Sequence, residues 1–223
     1  MENTTKSVRI NKYLAKTIHC SRREADEIVK RGWVMIDSAV CHEMGFKVTS
    51  EHDVEVHEQA FDWLGQKQTV VMNKPPGYIS GPGEEKYPSA LDILREDSFG
   101  GEGETPPLHR DGLAPLGRLD VDSSGLLLLS QSGVLARIVI GPESEVEKEY
   151  VVKVGEALSD KKLEELGSEG FELDGKKLKK AFVERINETQ FRMILKEGKK
   201  RQIRRMCESV SYTHLTLPTT PYV

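Results

Sequence analysis

Two carboxylates and an arginine sit between two glycines, and four leucines follow directly. The stretch reads Gly117-Arg118-Leu119-Asp120-Val121-Asp122-Ser123-Ser124-Gly125, then Leu126 to Leu129 and Ser130. An apolar run this short, bounded by turn residues, predicts a buried strand. Asp120 then lies in a tight loop that feeds the core, where a carboxylate serves chemistry or ion pairing. A surface turn rich in Asp, Ser and Gly has the same composition. A calcium loop does not, because the regular series of oxygen ligands ending in Glu is missing.

A chain of 223 residues suits one large domain or two small ones. Its 37% hydrophobic and 30% charged residues predict a modest core under a highly polar surface. No apolar run approaches the roughly 18 residues that span a bilayer. The start, MENTTKSVRIN, lacks the apolar segment of a signal peptide. The expectation is an intracellular protein of the cytoplasm or an organelle, a monomer with no membrane partner. Cys20, Cys41 and Cys207 are too few and scattered for a disulfide framework. His19-Cys20 and Cys41-His42 lack zinc-ligand spacing, since adjacent residues rarely reach one ion, so no metal is expected.

The net charge of −4 conceals two basic islands. Between Lys6 and Arg31 there are eight Lys or Arg against three acids. Between Lys176 and Arg205 there are twelve against three. Such a distribution fits a polyanion that touches two places.

Val8, Ile10, Leu14, Ala15 and Ile18 recur at helical spacing, with Lys12 and Lys16 sharing a face. Ser21-Arg22-Arg23-Glu24 is a capping box, and Gly32 fits the C-terminal cap of the helix that follows. Ala25, Ile28 and Val29 form its inner face; Arg22, Arg23 and Lys30 point outward. Strands are predicted at Val34–Ile36 and Val54–Val56, completing a small α+β module over residues 6–56. Residues 57–67 have no clear period and read as a linker. A larger domain over 68–210 begins with a strand at Thr69–Lys74 and a Pro75-Pro76-Gly77 turn. A short helix follows near Ala90, then a long Gly/Glu/Pro-rich loop over 96–115, which reads more readily as an inert insertion than as a lid over the Asp120 loop, with His109 a loop residue. Further expectations are a helical face over Val134–Ile140, a strand from Glu147, a helix from Leu158 with Ser159 as N-cap, strands at Ala181–Ile186 and Phe191–Leu195, and a basic helix with Ile203 and Met206 inward. Residues 211–223 shift abruptly to Thr and Pro and read as an atypical tail, truncated or foreign.

GRLDVDSSGLLLLS resembles the catalytic motif of RNA pseudouridine synthases of the ribosomal small-subunit and large-subunit family. CSRREADEIVKRG resembles the small RNA-binding domain that precedes the catalytic domain there. NKPPGYIS, EKEY and EGKKRQIRRMCE resemble the family's first strand and turn, its second motif and its third. The resemblance implies an α+β fold: a small α+β RNA-binding module, then a mixed, mainly antiparallel sheet domain with peripheral helices. It implies that Asp120 is the catalytic aspartate, that Arg204 pairs with it, and that Tyr150 stacks on the target uracil. Arg22, Arg23 and Lys30 would meet RNA phosphates; Arg118, Arg201 and Arg205 are further RNA-binding candidates. Asp122 reads as a loop-shaping residue. Uridine and pseudouridine are isomers, so no redox step and no cofactor is expected. The implied partner is RNA, with ribosomal RNA favoured. Two rival readings are a non-catalytic RNA-binding or ribosome-assembly protein and a metal-dependent nuclease using Asp120 and Asp122, though two-metal sites gather more acids than this loop offers.

Overall fold

The computed structural model describes residues 7–95, 100 and 108–212. They divide into two compact units: residues 7–69 with 130–137, and residues 70–129 with 138–212. Helices and small, mostly antiparallel sheets give an α+β fold, as the sequence predicts.

The smaller unit opens with β1 (Val8–Arg9) and α1 (Ile10–Thr17). Val8, expected in the helix, is instead paired with Val48 across a two-stranded ladder. The capping box forms at the start of α2 (Arg22–Lys30): Glu24 N–H donates to Ser21 Oγ at 3.2 Å, and Ser21 N–H donates to Glu24 Oε2 at 2.6 Å. At the other end Gly32, at φ +73°, lets its own N–H reach Val29 O and that of Trp33 reach Ile28 O. This is the paired-bond stop that glycine favours. Ile10, Leu14, Ala25, Ile28 and Val29 are wholly buried. Each buried Leu, Ile or Val contributes about 1.5–3 kcal/mol. Beneath the helices lie β2 (Val34–Ile36), β3 (Ala39–Val40), β4 (Lys47–Val48) and β5 (Val54–Val56), with β2 between β3 and β5.

Residues 57–67 are not a linker. Glu58–Gly65 form α3, capped by His57, whose Nδ1 accepts from Gln59 N–H. Ala60 is fully buried, Trp63 meets Trp33 edge-on at 6.2 Å between centroids, and Lys67 Nζ lies 3.6 Å over the Trp63 ring. The segment lacks a clear period because Ala60, Trp63 and Leu64 alone do its packing. Residues 130–137 also belong to this unit: the buried Glu24 uses its second oxygen to accept from Gly133 N–H at 3.0 Å.

In the larger unit, β6 (Thr69–Lys74), β7 (Ala114–Pro115) and β8 (Gly125–Ser130) form a three-stranded sheet with β8 in the middle. A 3-10 turn at Ala90–Ile93 packs on it. The leucine strand is one-sided, not buried throughout: Leu127 and Leu129 are in the core, but Leu126 is half exposed. Alternation of side chains, hidden in an all-leucine run, explains the difference. The predicted 96–115 loop ends earlier than expected, because β7 occupies 114–115; residues 96–99 and 101–107 lie outside the described residues.

After α4 (Gly133–Ile140) come β9 (Lys148–Lys153), α5 (Asp160–Leu166), a hairpin of β10 (Glu172–Leu173) and β11 (Lys176–Lys177), β12 (Phe182–Arg185), β13 (Gln190–Leu195) and α6 (Gln202–Ser209). The antiparallel order is β12-β13-β9, and Tyr150 lies opposite Met193. Val152, Phe191, Met193 and Leu195 share the core with Leu163, Leu166, Ile203 and Met206. Ser159 is the N-cap of α5, but its side chain makes no capping bond; its N–H donates instead to the Tyr212 hydroxyl at 2.8 Å. Tyr212 is fully buried beside Phe191, so the folded unit continues past 210. The rest of the atypical tail, 213–223, lies outside the described residues.

Candidate active site

The loop carrying Asp120 is fixed from both sides. Gly117 and Gly125 bracket it at φ +109° and +122°, a backbone region that L side chains rarely adopt. Within it, Ser123 N–H donates to Asp120 O at 3.0 Å, closing a turn. From the residues after β6, Gly77 N–H donates to Val121 O at 2.7 Å. Ser80 accepts from Leu119 N–H at 2.9 Å and donates to Leu119 O at 3.0 Å.

Lys74, at the end of β6, is fully buried. Its Nζ donates to Pro75 O at 2.9 Å and Ser123 O at 2.8 Å, stitching the Pro-Pro-Gly turn to the Asp120 loop. Burial pulls the Lys74 ammonium below its ordinary value, and the charges of Asp122 and Asp120 oppose that fall. The resemblance over NKPPGYIS assigns Lys74 no role. A lysine directly before Pro-Pro-Gly at a strand end was the available signal.

Arg204 reaches the loop from α6. Its Nε lies 3.3 Å from Asp120 Oδ2 and its Nη2 lies 2.7 Å from Asp122 Oδ2. The arginine side chain is 7% exposed, against 27% for Asp120 and 55% for Asp122. One buried guanidinium therefore contacts two carboxylates two residues apart. Three residues before Arg204, Arg201 caps α6 with a left-handed backbone, φ 52°, and places Nη1 3.7 Å from the same Asp120 oxygen. Arg201, an RNA-binding candidate from the sequence, rests beside the carboxylate and remains 45% exposed.

Tyr150 is partly buried on β9 against the larger core. Burial raises its phenol above the ordinary range, and the negative charge of Asp120 raises it further. Asp120, Arg204, Arg201 and Tyr150 thus gather in one region of the larger unit. Arg118 is exposed on the loop. Arg205 turns away to pair with Asp174, which meets its charge within the chain. Arg22, Arg23 and Lys30 are exposed on α2 of the smaller unit and make no ion pair among the described residues. Among the described residues no three His, Cys, Asp or Glu are grouped to hold a metal ion, and no helix is long and apolar enough to cross a membrane.

A family model described as RNA pseudouridylate synthase matches residues 68–209, a span that includes the whole cluster. The chain belongs to that family. An uncharacterized RNA pseudouridine synthase of Aquifex aeolicus (strain VF5) is 33% identical over 216 residues, covering 96% of this synthase and 84% of the relative. The dual-specificity RNA pseudouridine synthase RluF of Escherichia coli O6:H1 is 32% identical over 208 residues, 92% of this chain and 67% of its own. The ribosomal small subunit pseudouridine synthase A of Escherichia coli K12 is 28% identical over 205 residues, 91% and 84% of the two chains. A crystal structure of a pseudouridylate synthase shares the fold with a TM-score of 0.60 at 21% identity, over 95% of this chain and 87% of that one. The synthase isomerises uridine to pseudouridine in RNA.

Proposed function

We propose that Asp120 is the reacting carboxylate of this synthase and that ribosomal RNA carries the target uridine. The reaction breaks the N1–C1′ bond, turns the base and joins C5 to C1′; the C5 proton is lost and N1 gains one. A carboxylate beside the sugar either attacks C1′ or removes a proton at C2′. The observation that carries the assignment is the Asp120–Arg204 contact. The loop backbone is tied down at Leu119, Val121 and Ser123, and the partly exposed acid is met by an arginine from a helix 84 residues away in sequence. Pre-organised charge of this kind is what a water-poor site requires.

A paired or stacked uridine is out of reach of such a site, so it must be flipped out, at a cost of a few kcal/mol. Tyr150 offsets part of that cost by stacking on the uracil. Arg118 contacts the RNA near the loop. In the smaller unit, Arg22, Arg23 and Lys30 stand exposed on one capped helix, without ion pairs among the described residues, an arrangement suited to phosphate contact. Ribosomal RNA is favoured because the relative from Escherichia coli K12 is a ribosomal small subunit synthase.

The test is tritium release from unmodified ribosomal RNA transcripts labelled at uridine C5. The wild type releases tritium. Asp120→Asn lowers the rate by about 10⁴-fold or more without weakening RNA binding. An Asp120→Asn protein that still turns over removes the proposed role, and a wild type that acts only on non-ribosomal transcripts removes the proposed substrate.

A further inference from the structure

The three cations around Asp120 are not equivalent. Arg204 is buried and committed to two carboxylates, and Lys74 is buried and committed to two carbonyls. Arg201 is 45% exposed and touches Asp120 at one long contact of 3.7 Å. Its position is also locally disfavoured in three ways. The backbone is left-handed at a residue with a Cβ, the N-cap gains no side-chain hydrogen bond, and a cation stands at the positive end of a helix. Glycine or asparagine would ease the first penalty, and serine or aspartate the other two. Local rules broken together at one residue of a site mark a functional constraint.

Resting on the reading of Asp120 as the reacting carboxylate, we propose that Arg201 is a positioning residue that exchanges partners on substrate binding. In the free enzyme it rests on Asp120. When RNA enters, its guanidinium transfers to a phosphate next to the target nucleotide, and Asp120 is left to Arg204 alone. The exchange is favourable because an exposed single-contact ion pair is weak, whereas a guanidinium forks onto phosphate oxygens with two charge-assisted bonds. Asp120 and the phosphate thus compete for one cation, and by linkage each lowers the other's hold on it.

The experiment is a four-protein binding cycle with unmodified ribosomal RNA transcripts: wild type, Asp120→Asn, Arg201→Gln and the double variant. Arg201→Gln weakens binding several-fold and lowers the logarithmic salt slope by about one. Asp120→Asn tightens binding by about two- to three-fold, the worth of a weak exposed pair, and that gain disappears in the Arg201→Gln background. Arg201→Lys, which keeps the charge, retains the gain. Equal tightening in both backgrounds, or no effect of Arg201→Gln on affinity, overturns the exchange. The cycle reads binding alone. A catalytically active Asp120→Asn protein would therefore defeat the assignment of Asp120 separately from this result.

Discussion

The two units use arginine in opposite ways. In the smaller one, Arg22 and Arg23 project from a helix whose shape is set by its caps and its apolar face, and their charges stay in water. In the larger one, Arg204 is buried and closed on carboxylates of its own chain. A solvated cation can exchange counterions for phosphate and gives affinity that salt erodes. A buried one holds carboxylates in place, in surroundings where bulk salt screens little. On the proposed roles, grip and chemistry are separable, and substitutions in the two units should fail differently.

The sharpest contrast is expected from Arg204→Met. Asp120 and Asp122 lose their shared partner, so the single-turnover rate at saturating RNA falls by about 100-fold or more. Unfolding stability drops by about 2 kcal/mol, the lower side of the usual cost of breaking a buried pair because both acids are partly exposed. Affinity for RNA changes little. A normal rate with lost affinity would reverse the roles of the two regions.

Lys74→Met comes next. Pro75 O and Ser123 O lose their donor, at about 1–3 kcal/mol in a thermal melt, and the loosened loop costs roughly tenfold in rate. An unchanged melt would show that the lysine does not brace the loop. Arg22→Ala combined with Arg23→Ala should weaken RNA binding several-fold and flatten its logarithmic salt slope by about two, leaving the rate at saturating RNA intact. A lower saturating rate would mean that the smaller unit takes part in the chemistry.

Much of this division was legible in the sequence, for reasons that differ by residue. The capping box at Ser21 and Glu24 and the inner face of Ala25, Ile28 and Val29 are local patterns, and they form as written. Asp120 and Arg204 were legible through their motifs. Their pairing depends on a loop and a helix that only the tertiary fold brings together. The place of Lys74 before Pro-Pro-Gly was a visible signal, but its two acceptors are backbone carbonyls, which a residue pattern does not name. The same holds for Glu24, whose second oxygen serves Gly133, 109 positions later. The helix at 58–65 was missed because its packing rests on Ala60, Leu64 and an edge-on pair of indoles rather than on a sustained apolar period.

The smallest expected effect concerns Cys207, buried in the larger core, with its thiol pushed up from 9.0 to about 12 chiefly by desolvation. The unfolded chain releases that proton first. Its contribution to stability is therefore whole below about pH 9 and falls as pH rises toward about 12. Cys207→Ala should flatten that alkaline decline in stability measured by urea unfolding. An unaltered slope would assign the decline to other groups.

The grip of Arg204 on Asp120 is central, and a double-mutant cycle on unfolding free energy measures it directly. Asp120→Asn and Arg204→Met should couple by about 1–2 kcal/mol, whereas Asp120→Asn and Arg22→Ala should add to within about 0.5 kcal/mol. Additive losses for the first pair would contradict the account, because the guanidinium and the carboxylate would then contribute independently.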